Sequence, residues 1–223
     1  MPDSSAKLQA LLETIVPMEK KTLCIATRNT HKTAEMAPVL SPFWEVKCSA
    51  DYPEMEGLDE ITETGDTFLA NATLKAVATS QVISDYALAD DSGLECDALD
   101  GAPGVFSARY GGIPSSSEKN MEKLLQELQR VGATTPQQRR ARFRCVLVLA
   151  KESEVIASFD GACEGMITLG PKGTNGFGYD PLFVPDGYAR TFGQLGEKTK
   201  MGLSHRGLAL KKFVAWCKTN PVE

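Results

Sequence analysis

Two neighbouring stretches constrain the fold most. ARFRCVLVLAK at 141–151 and EVIASFDGACEG at 154–165 both read as long strands. Only Glu152 and Ser153 separate them, so they read as a hairpin and force one antiparallel pair into the sheet. Elsewhere strands alternate with helices. LCIAT at 23–27 reads as a buried strand, followed by a helix at about 29–40 and a strand around WEVKCS. A helix over 66–83 carries the apolar stripe Phe68, Leu69, Ala72, Leu74, Ala76 and Val82. YALAD at 86–90 is the next strand, with Asp90 and Asp91 at its end. NMEKLLQELQRV is an amphipathic helix with Met121, Leu124, Leu125, Leu128 and Val131 on one face. A last helix spans about 204–218. Strand–helix alternation plus one long hairpin indicates an α/β fold with a mixed sheet.

The chain has 223 residues, enough for one large domain or two small lobes. Its net charge of −5 argues against a protein that coats nucleic acid, because such proteins are usually basic. A small anionic ligand held by a local cluster of cations is compatible with it. The six cysteines are dispersed without a CxxC pair, which suits free thiols in a reducing compartment. Neither of the two histidines lies at ligand spacing from a cysteine, so no structural zinc site is expected. The longest apolar run, CVLVLA at 145–150, is far short of the ~20 residues that cross a bilayer, so no membrane partner is expected. The N-terminus lacks the apolar core of a signal peptide, and a cytoplasmic location is expected. Residues 1–20 read as an extension, with Leu8, Leu11, Leu12, Ile15 and Val16 at helical spacing up to Pro17. Residues 21–223 read as a single α/β domain.

Four stretches carry chemistry. TRNTHKTAE at 27–35 follows a strand and opens a helix, with Asn29 or Thr30 as N-cap. His31 and Lys32 then fall in the first turn, where a cation costs roughly 0.3–1 kcal/mol against the helix dipole. Either Lys32 is simply exposed and tolerated, or a bound phosphate reverses the sign of that penalty. GLSHRGLALKKF at 202–213 repeats the oddity: Ser204 is the N-cap, and His205 and Arg206 follow, with Lys198 and Lys200 just upstream. Both histidines of the chain lie in these two turns, a placement that core packing does not explain. Asp90 and Asp91 precede Ser92 and Gly93. They read either as an Asx turn that closes a strand or, with Glu63, as hard oxygen ligands for magnesium shared with substrate phosphates. NGFGYDPLF at 175–183 places an aromatic between glycines, either to stack on a planar base or to pack inward in a hairpin loop. Neither GxxxxGK[ST] nor GxGxxG occurs.

Taken together, TRNTHK, ADDSGLECDALDGAPGVFSARYGG, GTNGFGYDPLF and LSHRGLAL resemble the blocks of the inosine triphosphate pyrophosphatase family, in order, across about residues 21–217. The resemblance implies an elongated mixed β-sheet flanked by helices, with two lobes around a central cleft, in a homodimer. It implies magnesium-dependent hydrolysis of a non-standard purine nucleoside triphosphate (ITP, dITP or XTP) to the monophosphate and pyrophosphate, which would clean the nucleotide pool. By motif, Thr27, Asn29 and Lys32 would hold phosphates. Arg28, Thr30 and His31 fill the intervening positions of the same substrate-binding stretch. Glu63 and Asp91 would serve Mg2+, and Asp91 would also be the base that orients water. Ser92 would touch substrate. Phe177 would stack on the purine, with Gly178, Tyr179 and Asp180 beside it. Lys200 would meet the phosphates, and His205 and Arg206 the base edge. The family often carries two acidic residues before a Thr-Gly pair, where this chain has Thr62 and Glu63.

A donor aimed at a 6-keto oxygen would leave a buried group unsatisfied when a 6-amino purine binds, a cost of ~1–3 kcal/mol. Arg206 is the candidate for part of that device. Rival readings are a pyrophosphatase for pyrimidine or modified nucleotides, a metal-dependent phosphomonoesterase, and a non-catalytic nucleotide sensor that signals through the N-terminal helix.

Overall fold

The computed structural model describes residues 20–56 and 61–220. The helical pattern expected from Leu8 to Val16 lies outside the described residues. In chain order the described elements are β1 (Thr22–Ile25), α1 (Thr30–Leu40), β2 (Glu45–Cys48), α2 (Phe68–Val82), β3 (Tyr86–Cys96), α3 (Ser117–Arg130), β4 (Arg140–Lys151), β5 (Glu154–Ile167), β6 (Phe183–Pro185), α4 (Glu197–Leu203) and α5 (His205–Thr219). The strands form one sheet in the order β2-β1-β3-β4-β5-β6. β1 is parallel to β2 and β3, and the rest pair antiparallel. The expected mixed α/β sheet is therefore present. The hairpin turns at Glu152 and Ser153, with φ of 52° and 70°. Positive φ at both central residues is the turn whose twist matches the flanking strands.

One strand differs from its expected length. β3 does not end at the two aspartates but runs through them to Cys96. The cause is its two unequal neighbours. β1 pairs with β3 only as far as Leu88, whereas β4 pairs with it from Ala87 to Cys96. Asp90 and Asp91 thus lie where one edge partner stops and the other continues. Gly93 is likewise a strand residue and makes no turn. A Cβ there would come within 2.5 Å of the Gly104 carbonyl oxygen and Ser107 Oγ. Glycine lets the 3-10 segment Gly104–Arg109 seat directly on the strand.

Two lobes share the long strands. In the first, Leu23, Leu88, Leu147 and Leu149 pack under Met36 and Leu40 of α1 and Leu210 and Phe213 of α5. On the opposite face of the sheet, Phe68, Ala72 and Ala76 of α2 cover Ala89, Val146 and Val148. In the second lobe, Leu94, Cys96 and Phe143 pack with Leu124 and Leu128 of α3 and with Leu182, Phe183 and Phe192. β3 and β4 contribute to both clusters, and the aspartates fall between them.

The apolar stripe expected on α2 is only half right. Phe68, Ala72 and Ala76 are buried, together with Asn71, Thr79 and Ser80, while Leu69, Leu74 and Val82 are exposed. The polar members serve loops: Asn71 Oδ1 accepts from Gly65 N at 2.8 Å, and Ser80 Oγ accepts from Ser153 N at 3.1 Å. On α3, Leu124 and Leu128 are buried and Val131, at the C-cap, is exposed. All six cysteines are free thiols, and Cys24, Cys96, Cys145 and Cys163 are buried.

Candidate active site

Successive side chains of a strand point to opposite faces, and this resolves the adjacent carboxylates. Asp90 faces α1 and α5. Its Oδ2 accepts from Arg206 Nε at 3.0 Å and from Cys145 Sγ at 3.1 Å. Its Oδ1 forms an ion pair with Lys32 and accepts from Ser92 Oγ at 3.0 Å. Burial would raise the Asp90 carboxyl, but Arg206 and then Lys32 hold it well below the ordinary range. Asp91 faces α2. Its Oδ1 accepts from Lys75 Nζ at 3.0 Å, and its buried Oδ2 has no hydrogen-bond partner among the described residues. On the far side of Lys75 stands Glu63, at 2.6 Å, and Arg109 reaches Glu63 Oε2 at 3.3 Å.

The two carboxylates that share Lys75 are pushed in opposite directions. Burial raises Asp91 against the pull of Lys75. For Glu63, burial is outweighed by Lys75 and Arg109, and its carboxyl is lowered. Such a split marks the raised group, Asp91, as the better proton acceptor of the pair and leaves Glu63 the more firmly ionised.

Lys32 enters from the first turn of α1 and is half-buried against Asp90, so it is not a solvent-facing lysine. Asn29 is the N-cap, accepting from His31 N at 3.0 Å and Lys32 N at 3.4 Å. Two of the amides expected to meet an anion are therefore occupied by Asn29 itself. Thr27 Oγ1 accepts from Asn29 N at 3.1 Å and steadies the cap. Arg28, Thr30 and His31 are exposed around this turn.

The second cationic turn is wired to the first. Ser204 caps α5 by accepting from Gly207 N at 3.1 Å. Arg206 is fully buried. Its Nη1 is ion-paired to Glu35 of α1, and its Nη2 donates to Ser92 Oγ at 3.0 Å. Lys200 Nζ lies 2.8 Å from Glu35 and 2.7 Å from Asp180 Oδ2. Asp180 Oδ2 also accepts from Phe177 N at 2.8 Å, which fixes the aromatic loop to the same cation. Burial nevertheless leaves the Asp180 carboxyl raised. The Phe177 ring stacks on His31 with centroids 5.2 Å apart and planes 17° apart. Lys200 Nζ and Arg206 Cζ lie over the same ring at 4.8 Å and 5.8 Å.

Two expectations need correction. Tyr179 turns away from Phe177 into the second lobe, buried, and its hydroxyl donates to the Ser107 carbonyl at 2.8 Å. Gly178, with a φ of 60°, reverses the chain between the two rings. His205 is a core histidine: it is buried and stacked on Phe143 at 4.7 Å. Burial, and then the charge of Arg206, keep it well below its ordinary pKa and hence neutral. Contacts thus link Thr27, Asn29, Lys32, Ser92, Phe177, Asp180, Lys200 and Arg206 on one face of β3, and Asp91 with Glu63 on the other. The structure adds Glu35, Lys75 and Arg109, which sequence reasoning missed, and it gives Asp90, read there as a possible magnesium ligand, to Arg206 and Lys32 instead. A lone lysine between Ala72 and Ala76 on the sheet-facing side of α2 was a legible signal for Lys75; Arg109 had none.

A two-lobed α/β enzyme of the kind that handles a phosphorylated ligand is what this fold and its interlocked charges define. The Ham1 family matches residues 23–216, and the chain belongs to that family. Among relatives, the dITP/XTP pyrophosphatase of Halalkalibacterium halodurans is 46% identical over 193 residues, 86% of this chain and 96% of that protein. That of Lactococcus lactis is 46% identical over 197 residues, 88% and 96% of the two chains. Among solved structures, the Staphylococcus aureus Ham1 protein superposes with a TM-score of 0.79 at 38% identity, covering 89% of this chain and 99% of that one.

Proposed function

We propose that this protein hydrolyses ITP, dITP and XTP to the nucleoside monophosphate and pyrophosphate, and so removes non-standard purines from the nucleotide pool. Its relatives bear the name of that activity. The observation that carries the reading is the three-residue span Asp90-Asp91-Ser92. On one face of β3 it anchors Lys32 and Arg206; on the other it presents Asp91 with a raised carboxyl and a buried oxygen that has no partner among the described residues.

In this reading the base stacks on Phe177, and the triphosphate lies toward Lys32 and Lys200. Both ammonium groups are now matched by carboxylates, so an incoming phosphate shares them with Asp90, Asp180 and Glu35. Asp91 accepts the proton of the water that attacks the α-phosphorus, a task helped by burial, which raises its carboxyl above the ordinary aspartate value. Lys32, Lys200 and Arg206 offset the charge that grows on the phosphoryl oxygens and the leaving pyrophosphate.

The residues present also fit magnesium. Asp91 Oδ2 supplies a hard carboxylate oxygen without a partner among the described residues, and Glu63 would supply another once it gives up its share of Lys75. No group of three or more His, Cys, Asp or Glu able to hold a metal is found among the described residues. That suits an ion shared with substrate phosphates rather than caged by protein. Bound there, magnesium would neutralise phosphate charge and acidify water.

Arg206 suits the keto-selective role. Of the five N–H donors of a guanidinium, four go to Asp90, Glu35 and Ser92, which locks its plane and leaves one to present. A keto oxygen accepts from that donor, whereas an amino group cannot. On the resemblance, the protein works as a cytoplasmic homodimer; light scattering of the purified chain tests the dimer.

The deciding experiment incubates the protein with magnesium and ITP, with ATP alongside. IMP and pyrophosphate are expected from ITP, at a rate well above that for ATP. IDP and inorganic phosphate as products would sink the proposal, and ITP binding without turnover would return the sensor reading.

A further inference from the structure

Phe177 is the flat surface the proposed function needs, yet its ring is already covered. His31 lies parallel to it at 5.2 Å, and Lys200 and Arg206 lie over it. These neighbours differ in how firmly they are held. Lys200 and Arg206 are buried and ion-paired to Asp180, Glu35 and Asp90. His31 is exposed, on the first turn of α1, and among the described residues its ring makes no hydrogen bond or ion pair, while its backbone N–H is held by Asn29. A base cannot slip between the two rings as they stand. Two stacking contacts of ~3.5 Å each would need a separation of about 7 Å.

We infer that His31 is the resting occupant of the base platform, so that a purine enters by displacing the protein's own imidazole from Phe177. The inference rests on the nucleotide reading above and concerns how that site is guarded. His31 meets the face of Phe177 and not the edge of the base. The competition therefore weakens all purines alike and leaves the choice between keto and amino purines to Arg206. It also keeps an apolar ring covered when no nucleotide is present.

The experiment uses the full chain and its His31→Ala variant, with ITP for kinetics and IMP as the binding probe. Removing one aromatic pair that competes with the ligand should lower the KM for ITP and the Kd for IMP by about two- to tenfold. The ratio of kcat/KM for ITP to that for ATP should stay as it is in the wild type. In a Phe177→Ala background the same substitution should give no gain. By proton NMR of the wild type, the His31 ring signals should carry an upfield shift that IMP abolishes. An unchanged or raised KM and Kd in His31→Ala, or His31 signals indifferent to saturating IMP, would overturn the inference. If the wild type neither cleaves ITP nor binds IMP, it is the nucleotide reading that fails; if it does both and the variant does not tighten, His31 alone is at fault.

Discussion

Asp91 combines a buried carboxylate, a lysine on one oxygen and nothing on the other among the described residues. Burial dominates and lifts its pKa; Lys75 keeps that lift in check. Two outcomes follow at this residue. Asp91→Asn should reduce kcat by about 10²–10⁴, the usual weight of a general base, while circular dichroism stays native. Near-normal turnover would remove Asp91 from the chemistry. In the wild type, the base is lost on protonation, so kcat/KM should fall on the acid side through an apparent pKa above the ordinary aspartate value of about 3.9. Lys75→Met removes the main opposing charge, so that acid limb should move to higher pH. A limb that stays put would show that some other group sets it. Lys75→Met also leaves Glu63 with Arg109 as its remaining ion-pair partner, which argues for pairing the rate measurement with a thermal melt.

At the scale of elements, most of the architecture was legible and the exceptions have definite causes. The hairpin, the caps at Asn29 and Ser204 and the mixed sheet follow from local pattern, because turn and cap chemistry is written within a few residues. The length of β3 was not legible. Whether a strand continues past Asp90 depends on β4, more than fifty residues downstream, continuing to pair beside it. The fate of the two histidines was equally non-local. Their sequence contexts match, yet α5 presses its first turn onto β5 and buries His205, while α1 leaves His31 at the surface. That closeness depends on Gly161: a Cβ there would collide with the His205 carbonyl oxygen and crowd Ala209 N. Gly161→Ala should therefore destabilise the fold by ~1–3 kcal/mol, as overpacking does, and should raise KM by displacing Arg206. A urea midpoint within error of the wild type would mean that α5 has slack the packing does not suggest.

For the molecule as a whole, a chain of charges joins the lobes: Asp90 to Arg206 to Glu35 to Lys200 to Asp180. Its stability should therefore depend on pH in two stages. His205 is neutral in the fold, with its pKa depressed below the unfolded value of about 6.5. As pH falls through ~6.5 the unfolded chain takes a proton that the native chain refuses, so stability declines, by at most about 1.4 kcal/mol per pH unit. Asp90 and Glu35 are depressed below unfolded values of about 3.9 and 4.3, so their contribution is intact above that range. It is lost only as pH falls further, through their lowered folded values. Asp91 and Asp180, both raised, act in the opposite sense, taking up protons in the native state before the unfolded one does. Urea midpoints between pH 7.5 and 5 should therefore decline in the wild type and flatten in His205→Gln, whatever baseline stability that variant loses by giving up its stack on Phe143. An equal slope in both proteins would place the titration elsewhere than in His205.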